Sequence, residues 1–589
     1  MLKKLAKCLR EYKRDTLLTV LCMIVEAGME VLIPLLISFF GKCVQPLSGE
    51  PDVNGMILYG CLMVGAAIIS LLAGMLGGKF CASASAGFAK NLRRDMFENV
   101  QNFSFSNIDK FSSSSLVTRL TTDITNVQMA FMMLIRTAIR SPLMLIFSII
   151  MSFFVSSSLP VIFFVTVPFL GFGIAIISYK AMPIFKRLFK RYDAMNESVQ
   201  ENIKGMRVVK AYVREDYESK KFAGVSNDLA KDFTKAERIL AFNSPIMQIC
   251  VQGALIALAY FGSRIVLFGN GQLDAFGLQS LTTYSFQILM ALMMISMVFV
   301  MLVMSVESAR RIVEVLDEKS DLTNPENPVT EVKNGDVEFD NVSFKYSLDA
   351  EKYSLEGVNL KIASGQTVGI LGGTGSSKTT LVNLISRLYD VTEGSVKVGD
   401  VDVRDYDMEV LRKSVAVVLQ KNMLFQGTIK ENLRWGNENA TDEQLVEVCK
   451  LAQADEFISQ FPNGYDTMID QGGANVSGGQ KQRLCIARAL LTNPKVLILD
   501  DSTSAVDMKT DALLRMAFKK FIPDTTKIII AQRVASVMDA DKIIIMNNGL
   551  VDAVGTHEEL LKTSEIYREV FEEQNKNTGA EGGDENEEI

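Results

Sequence analysis

The stretch TVGILGGTGSSKTTLVNLI, residues 367–385, changes character twice along its length. An apolar run ends at Leu371, a turn rich in Gly, Ser and Thr follows, and from Lys378 the apolar residues recur at helical spacing. Strand, turn and helix in that order make a phosphate-cradling loop. Backbone N–H groups of Gly372, Gly373, Thr374, Gly375, Ser376 and Ser377 can wrap a phosphate chain at the positive end of the helix. Lys378 then reaches the β and γ oxygens, Thr379 offers a hydroxyl to Mg²⁺, and Thr380 follows in the same turn. One residue departs from the usual pattern: Ser377 stands where Gly normally precedes the Lys. If that position requires a positive φ, the added Cβ costs about 1–2 kcal/mol; with a negative φ it is tolerated. The expectation is tolerance, with nucleotide binding weakened but real.

Downstream, KVLILD (495–500) is a buried strand ending in Asp500, suited to hold Mg²⁺ through its water shell. NVSGGQKQR (475–483) is a more specific signal. Ser477, Gly478, Gly479 and Gln480 open a helix, and its unpaired N–H groups with the Ser hydroxyl form a second anion site. Two phosphate sites with only one phosphate loop imply that two chains share each nucleotide.

The rest of the chain bounds what this α/β domain is attached to. At 589 residues, 48% hydrophobic yet 22% charged, the chain reads as an apolar half joined to a polar half. A helix needs about 20 apolar residues to cross a bilayer. Windows near 17–40, 56–80, 134–155, 160–177, 240–268 and 278–304 meet that requirement. The connections at 81–133 and 183–239 are long, helical in period and rich in Lys and Arg. The positive-inside rule therefore places them, the N-terminus and the C-terminal domain in the cytoplasm. The expected organisation is an amphipathic interfacial helix (1–15), a six-helix membrane domain (16–310), a linker (311–330), a nucleotide-binding domain (331–571) and an acidic disordered tail (572–589). A net charge of -7 argues against nucleic acid as a partner. Eight scattered cysteines argue against a disulfide framework or a zinc site.

With these motifs in order, the chain resembles an ATP-binding cassette (ABC) exporter half-transporter along nearly its whole length. Further stretches carry the likeness: VSFKY (342–346), VVLQKNMLF (417–425), STSAVD (502–507), and the inner-loop segments SSLVTRLTTDITNVQ (114–128) and GMRVVKAYVRED (205–216). The resemblance implies that Tyr346 stacks on adenine, that Gln420 senses the γ-phosphate and its Mg²⁺, and that residues 502–507 communicate between sites. It also implies a head-to-tail dimer, each ATP lying between one chain's phosphate loop and the other chain's SGGQ.

Against that pattern two reacting positions are altered. Asp501 stands where the family carries its catalytic Glu, and Gln532, in IIIAQRVAS (528–536), stands where it carries His. Asp is one C–C bond shorter, about 1.5 Å. Gln donates a hydrogen bond but exchanges no proton near neutral pH. The expectation is one half of a heterodimeric multidrug-type exporter in the plasma membrane, moving hydrophobic or amphipathic compounds outward. Its partner would carry the Glu and His and do most of the ATP hydrolysis, while this chain lends SGGQ and holds ATP in a slow site. Export of lipid or peptide, an ATP-gated regulator, and a homodimer with two weak sites are the alternatives.

Candidate substrate contacts lie in the apolar half. Glu26 and Glu30 share one helix face, and acids inside a membrane commonly face a polar cavity or pair with a neighbouring helix. Met290, Met294, Met297 and Met301 form a stripe, a side chain favoured on adaptable surfaces but also in plain packing. Gln248 and Gln252 are weaker candidates of the same kind. Together they suggest hydrophobic or cationic small molecules, met within the lipid bilayer.

Overall fold

A computed structural model describes residues 1–44, 51–268, 273–347, 350–501 and 507–580 of the chain. They form two compact units, one made of Met1–Gln101 with Ser112–Glu318, the other of Asn102–Phe111 with Lys319–Ile589.

The first unit is helical. Its main helices are α1 (Lys13–Val44), α2 (Val53–Gln101), α4 (Ile124–Ile135), α5 (Thr137–Val155), α6 (Val161–Lys204), α7 (Glu215–Ala241), α8 (Asn243–Phe268) and α9 (Ala275–Asp317); α3 (Phe105–Phe111) belongs to the second unit. Among the described residues, six helical stretches are long and apolar enough to cross a membrane, and each contains one of the windows read from sequence or most of it. Several helices run well past the length a bilayer needs: α2 has 49 residues and α9 has 43. Two boundaries differ from expectation. Helix α9 continues to Asp317, so what was read as linker from 311 begins as helix. Residues Asn102–Phe111 group with the nucleotide domain in the second unit.

Within α1, Pro34 cannot donate to the carbonyl four residues back. That carbonyl, Glu30 O, instead accepts from Gln287 Nε2 of α9 at 3.4 Å, and the neighbouring Val31 O accepts from the buried Tyr284 hydroxyl at 2.8 Å. Polar side chains thus satisfy backbone groups that hydrocarbon cannot.

The second unit is α/β. Strands β1 (Val337–Phe344), β2 (Leu355–Ile362) and β4 (Glu393–Val398) form an antiparallel sheet, with Val401–Asp402 on its edge. The other sheet contains β3 (Thr367–Gly372), β5 (Val415–Val418), β6 (Val496–Asp500), β7 (Thr526–Ile530), β8 (Lys542–Asn547) and β9 (Leu550–Gly555). Its order is β9-β8-β3-β7-β6-β5, parallel except for β9. Every residue of β6 and β7 is buried, which explains the apolar runs 496–499 and 528–530. The unit also contains α10 (Lys378–Ile385), α11 (Gly478–Leu490) and α12 (Glu565–Ala580). Helix α12 corrects the tail boundary: the chain is helical through Ala580, well past 572. Residues 581–589 lie outside the described residues.

Candidate nucleotide site

The parallel strand order assembles the site. In open α/β sheets ligands bind beyond the carboxyl ends of the strands. Here β3, β7, β6 and β5 lie side by side, with Ile530 level with Ile370 on one flank and Asp500 on the other. The residues that follow these four strands therefore converge: the phosphate loop after β3, Gln532 after β7, Asp501 after β6 and Gln420 after β5. They bound a cavity of about 380 Å³.

The loop is shaped by close approach. A Cβ on Gly372 would stand 2.2 Å from Met546 O, so no side chain fits there. Ser377, at the N-cap of α10, has φ 69 and ψ 25. The negative φ under which the side chain is tolerated is not adopted, because the chain swings through the left-handed region as it enters the helix. Lys378 Nζ folds back and donates to Gly372 O at 2.9 Å, Gly373 O at 2.8 Å and Ser376 Oγ at 3.2 Å. Burial pushes its ammonium below the usual lysine range, while Asp500 and Asp501 pull the other way.

Thr379 Oγ1 donates to Asp500 Oδ1 at 3.1 Å. Burial raises the Asp500 carboxyl above the usual aspartate range, as does the charge of Asp501, against the opposing effects of Thr379 and Lys378. A hydroxyl, a carboxylate and the Gln420 carboxamide on one cavity are the hard oxygen donors that suit Mg²⁺. Among the described residues no group of three His, Cys, Asp or Glu offers another metal site. The ion would supply charge neutralisation between phosphate oxygens.

Asp501 and Gln532 are brought together. Gln532 Nε2 donates to Asp501 Oδ2 at 2.7 Å, and Gln420 Nε2 donates to the same oxygen at 3.3 Å. Asp501 sits at φ 48, a left-handed conformation that Asp enters more readily than most residues. Its carboxylate thus faces amide donors, which hold it without taking a proton from it.

Tyr346 is half exposed, and its hydroxyl pairs with Thr380 Oγ1 at 2.9 Å. Its ring stands edge-on to Phe344 and Tyr389, with centroids at 4.9 and 5.2 Å. Tyr389, which sequence reasoning missed, also packs edge-on against Phe105 of α3 at 6.1 Å and donates to Asp109 Oδ2 at 2.7 Å. Burial, with the Asp109 bond, pushes its phenol above the usual tyrosine range. The segment that leaves the long inner helix is thereby joined through aromatic edges to the adenine candidate. No local sequence signal marks that contact.

Ser477 caps α11: its hydroxyl accepts from Gln480 N at 3.3 Å, and Gln480 Oε1 accepts from Ser477 N at 2.9 Å. This leaves Gly478 and Gly479 at the open first turn. None of Ser477–Gln480 lines the phosphate-loop cavity. Residues 502–506, most of the stretch read as a communicating loop, lie outside the described residues.

In the helical unit, Arg140 of α5 lies between the two acids of α1, pairing with Glu30 and approaching Glu26 Oε1 at 3.4 Å. Met290, Met294 and Met297 are exposed on α9 and Met301 is partly so, while Val298 on the other face is buried. The stripe therefore does not pack into this chain's own core. Gln248 and Gln252 are likewise exposed on α8. A separate cavity of about 910 Å³ is lined by Ile174, Ala175, Pro183, Leu292, Ile295 and Phe299, among others.

Comparison with known proteins agrees with this architecture. The family profile for the ABC transporter transmembrane region matches residues 16–303, and that for the ABC transporter nucleotide domain matches 355–504. YfiB of Bacillus subtilis (strain 168), an uncharacterized ABC transporter ATP-binding protein, is 34% identical over 580 residues, covering 98% of this chain and 100% of its own. MT1311 of Mycobacterium tuberculosis (strain CDC 1551 / Oshkosh), described in the same words, is 32% identical over 574 residues, covering 97% of each. A solved bacterial Atm1-family ABC exporter with ATP bound superposes with a TM-score of 0.80 over 96% of this chain and 99% of its own; at 23% identity it speaks to the fold. The chain belongs to the ABC transporter family, with a six-helix membrane domain preceding an ATP-binding domain.

Proposed function

We propose that this chain is one half of a heterodimeric exporter, and that its own phosphate loop builds the slow ATP site. The observation that carries the reading is the Asp501 carboxylate held by Gln532 at 2.7 Å and Gln420 at 3.3 Å. A general base must reach the proton it abstracts, and a misplacement near 1 Å costs about 10²-fold in rate. Asp501 is short by one C–C bond, and neither amide can relay a proton. The groups that hold nucleotide are retained: Lys378, Thr379, Asp500 and Tyr346. ATP with Mg²⁺ then binds and stays. The Ser477–Gln480 cap, outside this cavity, serves the partner's ATP, and the partner brings Glu and His. Positive charge on the inner loops supports a cytoplasmic N-terminus and ATP-binding domain in a plasma membrane.

Hydrophobic or amphipathic cargo is supported by the exposed Met stripe and the apolar cavity. Two acids against one Arg leave a net negative charge among the helices, which favours cationic amphiphiles. The test of the asymmetry is mutational, in the assembled transporter. Ser477→Arg should abolish turnover, whereas Asp501→Asn should change it less than threefold. Equal damage from Asp501→Asn and from the partner's Glu→Gln would make the sites equivalent and overturn the proposal.

A further inference from the structure

The C-terminal helix α12 is a wall of the ATP site. Ile566, Tyr567 and Val570 line the same cavity as the phosphate loop. The base of the helix is anchored: Tyr567 is buried, and its hydroxyl meets Nδ1 of His557, the chain's single histidine, at 2.6 Å.

One turn beyond Val570, Gln574 reaches the backbone after β7. Its Oε1 accepts from Val534 N at 2.9 Å and its Nε2 donates to Gln532 O at 2.9 Å. Arg533 between them is extended, with φ -103 and ψ 130. An extended residue leaves the carbonyl before it and the N–H after it on one edge, the pair that a neighbouring strand engages. A carboxamide carries the matching acceptor and donor. Gln574 therefore substitutes for a strand at this edge, and the loop it holds is the one whose Gln532 side chain reaches Asp501.

We infer that Gln574 is a positioning residue for Gln532: by bridging the backbone on both sides of Arg533, it fixes the direction in which the Gln532 carboxamide meets Asp501 and the nucleotide. The role in nucleotide retention rests on the reading that Gln532 touches bound ATP; the bridge itself does not. A Glu at 574 keeps the acceptor for Val534 N–H but sets a carboxylate against the Gln532 carbonyl. An Ala keeps neither contact.

The experiment uses the full-length chain in its assembled transporter, with MgATP as the probe. Hydrogen exchange at the Val534 amide and the rate of ATP release from this chain's site are followed in Gln574→Ala, Gln532→Ala and the double variant. Exchange at Val534 should rise about tenfold in Gln574→Ala, the effect of losing one hydrogen bond, with residues 565–573 still protected. ATP release should quicken to the level of Gln532→Ala, and the double variant should be no faster, as expected of residues acting through one another. If Gln574→Ala unfolds α12, Gln574→Glu takes its place, with protection at Val534 retained and release quickened. Unchanged exchange in Gln574→Ala, or release rates that multiply in the double variant, would overturn the assignment. A loosened loop with unaltered release in both single variants would leave the bridge standing and overturn the reading of Gln532.

Discussion

Restoring the two altered reacting residues is the most direct way to measure what their loss costs. Asp501→Glu moves the carboxylate outward by one C–C bond, about 1.5 Å, into the cavity. Because Asp501 Oδ2 is bonded to Gln532 Nε2 at 2.7 Å, the longer side chain must break that contact. Gln532→His then supplies a group able to exchange a proton near neutral pH. Correcting the position alone should raise hydrolysis about 10²-fold. The pair together should reach about 10²–10⁴-fold, without simple multiplication, since base and partner act as one unit. There is a cost: position 501 has φ 48, which Glu enters less readily than Asp, so folding should weaken by up to about 1–2 kcal/mol. Activity should thus rise while thermal stability falls, a pairing that a general improvement in folding would not give. The assay is steady-state ATP hydrolysis by the assembled transporter with the catalytic Glu of the proposed partner chain replaced by Gln, so that only this site turns over. A gain below tenfold in the double variant would refute the argument that these two residues make the site slow.

Other outcomes follow from the same geometry. Ser377→Gly should relieve left-handed strain of about 1–2 kcal/mol, less about 0.5–1 kcal/mol for the greater freedom of Gly in the unfolded chain; thermal unfolding of the ATP-binding domain should rise by a few degrees, and a fall would show that the strain is absent. Tyr389→Leu should weaken ATP binding about two- to thirteenfold, since an edge-to-face pair contributes about 0.5–1.5 kcal/mol, whereas Tyr389→Phe should keep ATP affinity and lose only stimulation of hydrolysis by transported compounds. Unchanged affinity in the Leu variant would disconnect Tyr389 from Tyr346. Glu26→Gln with Glu30→Gln should weaken export of cationic dyes more than of neutral ones, read by efflux from cells or vesicles; equal loss for both would make the acids structural partners of Arg140.

The parts legible in sequence were those whose physics is local. A bilayer demands a fixed length of apolar chain, so all six spans could be read, and the strand-turn-helix of 367–385 carries its own periods. What escaped depends on partners far away along the chain. Nothing near Glu26 or Glu30 announces that Arg140, more than a hundred positions on, lies between them. Pro34 is visible as a missing donor, but not that Gln287 and Tyr284 satisfy the carbonyls it disturbs. Gln574 was lost in an acidic run, although Ile566, Val570 and Gln574 keep helical spacing and lie on the packed side. At Ser377 the residue type does not reveal φ: the loop sets it, and the side chain bears the strain.

The pattern of retained and altered groups separates holding ATP from breaking it. On the proposed reading, affinity comes from contacts present in the ground state: the Lys378 charge, the loop amides, the Thr379–Asp500 pair and the Tyr346 ring. Hydrolysis needs, in addition, a base within reach of water and a proton partner, contributions made only in the transition state. These two classes occupy one cavity: Lys378 and Thr379 follow β3 and Asp500 ends β6, while Asp501 comes one residue after Asp500 and Gln532 two after Ile530. Substitution at Asp501 and Gln532 can therefore remove turnover without disturbing the sheet or the loop that hold the nucleotide. Among the holding groups the phosphate loop carries one altered position, Ser377, while Lys378 and the Ser477–Gln480 cap keep their hydrogen bonds. In the proposed heterodimer, a site that holds ATP but rarely breaks it would join two domains for as long as the nucleotide remains, and so would keep the dimer closed or half-closed while the other site cycles.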